Sequence, residues 1–159
     1  MAIEITLDTS RLVGSLERLV PEMDDAFDTA MALVMADVVQ EAAIRAPLKT
    51  GELILSIGSV QRGTFSRGTL SGVVSASAPH AASIEDGSKP HVIRPKKKRA
   101  LRWPSGGTGA NGWAFAKKVN HPGTRAQPFL KPALAAKRDG IADTFEKATR
   151  LAIRKAGFR

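Results

Sequence analysis

Three histidines, His80, His91 and His121, are the side chains of this chain best suited to proton transfer or metal binding. They lie far apart in sequence, and each adjoins a proline: Pro79-His80, Pro90-His91 and His121-Pro122. No HExxH-like spacing places two imidazoles on one helical face for zinc. The 159 residues contain no cysteine, which excludes thiolate nucleophiles, disulfides and Cys-ligated metal sites. His80, Ser83 and Glu85 are close in sequence, but a triad is a geometry that spacing does not supply. Hydrogen-bonded loop histidines are the expectation. The carboxylate pairs Asp24-Asp25 and Glu85-Asp86 suit a helix N-terminus and a turn better than acid–base work. Gly106, Gly107, Gly109 and Gly112 do not spell a phosphate-binding GxxxxGK[ST] loop, so they read as a flexible connector. The chain is therefore expected to be no enzyme and to need no metal or cofactor.

A second kind of chemistry is electrostatic. The net charge is +9. From Gly87 to Arg138 there are thirteen Lys or Arg and no Asp or Glu, so the rest of the chain is mildly acidic. Lys96, Lys97, Lys98 and Arg99, with Lys89, His91, Arg94 and Arg102 nearby, have the composition to neutralise phosphates with release of counterions. Trp103 and Trp113 flank the glycine loop and could stack on bases. Lysine-studded strand edges also prevent aggregation, and a basic arm can meet an acidic protein neighbour. No helix-turn-helix or other base-reading motif is visible. A segment this poor in acids and rich in Pro and Gly is expected to be ordered by a partner surface, which favours an assembly protein over an enzyme.

These residues must be carried by regular elements. Ile3, Ile5 and Leu7 alternate with Glu4 and Thr6, as in a short strand. Leu12, Leu16 and Leu19 then take helical spacing, and Pro21 predicts a new helix or a sharp kink. Met23, Phe27, Met31, Val34, Val38 and Ala42 form one apolar stripe, predicting a helix of about 25 residues that stops near Ala46 before Pro47. Leu53–Val60 and Leu70–Ala78 read as strands joined by a turn over Gln61–Thr69. Val92-Ile93, Ala100–Trp103 and Trp113–Val119 are further strands, and Pro128 is expected to open a final helix weakened at Gly140. The expected fold is α+β in one domain over 1–159: helical over 8–46, strands of an antiparallel sheet over 51–80, a basic extended arm over 87–127 and a C-terminal helix over 128–157. No apolar run is long enough to span a membrane. The segment MAIEITLDTS lacks a basic region followed by an apolar one, so no secretory signal is expected and the cytoplasm is the default.

Three blocks stand in order: RAPLKTGELILSI over Arg45–Ile57, APHAASIEDGSKPHVIRPKKKRALRW over Ala78–Trp103, and FAKKVNHPGTRAQPFLKPAL over Phe115–Leu134. Together they resemble the Hong Kong 97-type tail-component family of tailed bacteriophages, over most of the chain from Pro21 onward. One departure is His80, where many relatives carry Tyr. The resemblance implies a structural virion protein at the head–tail junction: a neck, head–tail joining or tail-completion component, without catalysis. It implies a homo-oligomeric ring, commonly six-fold. The ring would be stacked between a head-closure or connector ring and a tail terminator or tail tube, after assembly in the host cytoplasm. Pro47, Thr50, Gly51, Glu85, Gly87, His121, Pro122, Gly123, Thr124, Pro128, Phe129, Leu130 and Pro132 are the matching motif residues, with architectural roles expected. The arm from Lys89 to Trp103, and on to Trp113, is the expected interface with a neighbouring subunit or with passing DNA. A small basic nucleic-acid-binding protein is the alternative.

Overall fold

A computed structural model describes residues 10–105 and 112–158. The strand expected at Ile3–Leu7 and most of the glycine loop lie outside the described residues. The class is α+β, with a long N-terminal helix packed on antiparallel strands and a C-terminal helix. The chain divides into two compact units: Met1–Ala78 with Phe129–Arg159, and Pro79–Pro128. The strands form three separate two-stranded ribbons, where one antiparallel sheet was expected.

The first unit is built on helix α1, Ser10–Arg45, and helix α4, Leu130–Lys155. Of the apolar stripe predicted for α1, Val38 and Ala42 are buried and Met23, Phe27, Met31 and Val34 half-buried, while Ala30 and Met35, outside that stripe, are buried beside them. The helix is longer than expected, because Pro21 neither starts nor breaks it. Proline removes one backbone donor and crowds the preceding turn. Here contacts with the end of α4 hold the helix on both sides of that defect. Arg18 donates to the Ala156 carbonyl at 3.4 Å, and Lys155 meets Glu22 at 3.7 Å. At the other end Lys137 lies 3.6 Å from Glu41, so the two helices run antiparallel.

Between α1 and the first ribbon the chain makes one helical turn, α2, over Glu52–Leu55, where a strand was expected from Leu53. Gly51 adopts a left-handed φ of 80°, and its carbonyl accepts the Leu55 N–H at 3.0 Å. Leu53 is thereby turned into the core. Strands β1, Ile57–Thr64, and β2, Thr69–Ala76, then pair antiparallel over eight residues each. The expected loop over Gln61–Thr69 shrinks to a single 3-10 turn, Phe65–Arg67. That turn is pinned to α1: Phe65 packs edge-on against Phe27 at 4.9 Å, and Asp24 accepts the Ser66 N–H at 2.7 Å. Phe27 also meets Phe145 of α4 at 5.4 Å.

Helix α4 begins at Leu130, two residues later than expected, and runs unbroken through Gly140. Pro132, not Pro128, occupies its first turn, where a missing N–H costs no intrahelical bond. Phe129 precedes the helix and is fully buried. Among the described residues no helix is long and apolar enough to cross a membrane.

The second unit contains α3, Ala81–Glu85, and four short strands: β3, His91–Ile93; β4, Leu101–Pro104; β5, Trp113–Ala116; and β6, Val119–His121. The single strand expected over Trp113–Val119 is split at Lys117-Lys118, and its halves serve different ribbons. β4 pairs with β5, and β3 with β6.

Candidate functional site

The second unit carries ten Lys or Arg against two carboxylates, Glu85 and Asp86, a net +8. Only Ala81 and Glu85 are buried among its described residues. It is therefore held by backbone hydrogen bonds more than by an apolar core. The central contact is a bridge in which Ser88 N–H donates to Thr124 O at 2.9 Å and Thr124 N–H to Ser88 O at 3.0 Å. Gly87 and Gly123 flank it with φ of 74° and 91°. A Cβ on Gly123 would lie 2.3 Å from the Ser88 carbonyl oxygen, and one on Gly87 would lie 2.7 Å from that of Thr124. These glycines allow two backbones to approach as no other residue would. Nearby, Gln127 N–H donates to Ile84 O at 2.8 Å.

The β3–β6 pair extends this clasp and places His91 opposite His121. Their rings stack with centroids 5.0 Å apart. His91 Nδ1 donates to the Lys89 carbonyl at 2.9 Å, and His121 Nδ1 accepts the Gly123 N–H at 3.1 Å. Each histidine thus spends one ring nitrogen on backbone of its own turn. His80 lies just before α3, where its carbonyl accepts the Ile84 N–H at 3.1 Å. Among the described residues no group of three His, Asp or Glu side chains could hold a metal ion.

Beyond β3, the cluster Lys96, Lys97, Lys98 and Arg99 forms an exposed bend, with Lys89 and Arg94 also exposed. No ion pair joins these cations to a carboxylate among the described residues. Strand alternation then separates the two tryptophans. The register Arg102↔Phe115 and Pro104↔Trp113 puts Arg102, Trp113 and Phe115 on one face of the ribbon, and Trp103 with Ala114 on the other. The Arg102 guanidinium lies 4.2 Å from the centre of the Trp113 ring. One face of Trp113 thus meets a cation while the residue stays 37 % exposed, and the two tryptophans that could stack on bases lie on opposite faces of the ribbon. Trp103 remains 40 % exposed. Lys117 and Lys118, not singled out from the sequence, are exposed between β5 and β6 and enlarge the basic surface. Their adjacency within the third sequence block was the available signal.

The motif residues fall into two groups. Glu85, Gly87, His121, Pro122, Gly123 and Thr124 belong to the second unit, where the EDGS and HPGT stretches meet, and Pro128 ends that unit. Pro47, Thr50 and Gly51 shape the α1–α2 connection of the first unit, where Glu52 N–H donates to Thr50 Oγ1 at 3.4 Å. Phe129, Leu130 and Pro132 open α4. No family model, curated protein or solved structure matches the chain.

Proposed function

We propose that the chain is a structural virion protein of a tailed bacteriophage, a ring-forming neck or tail-completion component that joins head to tail. The observation that carries this reading is the meeting of the second and third sequence blocks in one backbone clasp around Ser88 and Thr124. The residues most specific to the resemblance thus perform a packing task. They support a unit with ten Lys or Arg against two carboxylates, as an assembly element would have. A ring of about six copies, contacting a head-closure or connector ring on one side and a tail terminator or tube on the other, is the form proposed. A strongly cationic channel wall would hold DNA back during passage, so much of the charge is assigned to protein contact.

Immunogold electron microscopy of purified particles tests the placement. Label at the head–tail junction supports it; absence of label on particles with the epitope accessible overturns it. Replacing Lys96, Lys97 and Lys98 with Ala should lower the yield of joined particles.

The unpaired cluster at Lys96–Arg99 favours one second reading, a nucleic-acid-binding protein acting through phosphates. Tight DNA binding near physiological salt, with a steep log–log salt slope, would support that reading over the first.

A further inference from the structure

The two faces of the β4–β5 ribbon differ in what they show to water. On one face Leu101, Ala114 and Ala116 are half-buried. The other carries Arg102, Pro104, Trp113 and Phe115, all of them exposed. Phe115 is the more open of its two rings, at 61 %. Large apolar rings side by side on an exposed face mark an interaction surface. Trp113 and Phe115 stand two residues apart on β5, about 7 Å along the strand. Arg102 is opposite Phe115 in the register and 4.2 Å from the centre of the Trp113 ring. A planar cation therefore stands beside both rings.

The same register gathers charge. Leu101 pairs with Ala116, which sets the start of β4 beside the end of β5. The exposed bend Lys96–Arg99 leads into that start, and the exposed Lys117 and Lys118 follow that end. Two cationic clusters distant in sequence thus meet at one end of the aromatic face. Among the described residues none of these side chains is paired with a carboxylate. Lysine predominates in them, and lysine is depleted where proteins meet proteins. Ammonium groups beside exposed rings fit a polyanion with flat units: phosphates for the cations, bases for the rings. A duplex keeps its bases stacked on one another, so the fit is to a single strand.

We propose that the exposed face of β4–β5 binds single-stranded nucleic acid. Two successive bases stack on Phe115 and Trp113, and the adjoining phosphates run over Lys96–Arg99 and Lys117-Lys118. Arg102, already against Trp113, adds a second planar group to the platform. Stacking of this kind tolerates any base, so DNA and RNA strands share the chemistry. The inference rests on the second reading above, nucleic-acid binding through phosphates. It needs only part of the charge that the first reading assigns to protein.

The test is fluorescence anisotropy of the full chain with a labelled short oligothymidylate, the matching oligouridylate and a duplex of equal length, over a salt series. Single strands are expected to bind at least about tenfold tighter than the duplex. Phe115→Ala should weaken single-strand binding about tenfold and leave duplex binding unchanged, and Phe115→Trp should keep the wild-type affinity. Phe115 is exposed, and circular dichroism confirms that its variants fold. Replacing Lys96, Lys97 and Lys98 with Ala should flatten the salt slope for all three ligands. The tighter of the two single strands identifies DNA or RNA as the ligand. Equal binding of duplex and single strand, unmoved by Phe115→Ala, overturns the stacking face and leaves the phosphate reading standing. No binding to any of the three at low salt overturns both. Displacement of the oligonucleotide by polyglutamate at matched charge overturns the proposal in favour of an acidic protein partner.

Discussion

Ser88 and Thr124 exchange both of their backbone hydrogen bonds, at 2.9 and 3.0 Å. The stretch they close contains nine Lys or Arg and no carboxylate, which equals the net charge of the entire chain. One bridge thus defines the base of the basic arm, and its flanking glycines determine whether it can form.

Gly123→Ala should open that bridge. The new methyl would meet the Ser88 carbonyl at 2.3 Å from a left-handed backbone, so neither a rotamer change nor a small shift relieves it. A cost of about 1–3 kcal/mol is expected. It should be read as lost hydrogen-exchange protection at Ser88 and Thr124, with the amides of α1 unaffected. Gly72→Ala is the contrasting case. Its neighbours are the far ends of two methionines, which can move, so a loss near 1 kcal/mol is expected in chemical denaturation.

Phe129→Ala should be the most damaging single truncation in the first unit. The ring is fully buried where the chain enters α4, and its removal leaves a cavity. A loss of about 3–5 kcal/mol in denaturant unfolding is expected. Leu134→Ala, at a half-exposed site on the same helix, should cost much less.

Asp24 ties the hairpin tip to α1, and this tie depends on pH. The Ser66 hydroxyl and N–H hold its carboxyl below the ordinary value of 3.8 against an opposing effect of desolvation, with lesser help from the Phe65 N–H and the charge of Arg67. A depressed folded-state pKa contributes stability that is fully present above the unfolded value and lost as pH falls through the folded one. The difference in Tm between the wild-type chain and Asp24→Asn should hold steady at neutral pH and shrink below 3.8. A difference that grows on acidification would contradict this arrangement.

Arg102 should report on Trp113 and not on Trp103. The guanidinium caps the Trp113 ring at 4.2 Å, a contact worth about 0.5–1 kcal/mol at an exposed site. In single-tryptophan variants, Arg102→Ala should raise quencher access to Trp113 and leave Trp103 unchanged. Equal effects on both would contradict the face assignment.

Much of this protein is determined along the chain itself. The stripe from Met23 to Ala42 specifies a helix with one buried face, because 3.6-residue periodicity is a local property. The segregation of charge into the segment after Gly87, and the absence of thiol chemistry, need no coordinates at all. The ribbon strands around Val92, Arg102 and Trp113 were legible for the same reason: backbone preference and alternation act over a few residues. What only tertiary structure decided depends on groups distant in sequence. Pro21 sits inside a continuous helix because Arg18 and Glu22 are both held by the far end of α4. The hairpin turn tightens to Phe65–Arg67 because Phe27 and Asp24 await it. Trp103 and Trp113 part company because register, not sequence distance, assigns faces. Gly87 and Gly123 become a clasp only when their two stretches cross, and no local propensity encodes that crossing.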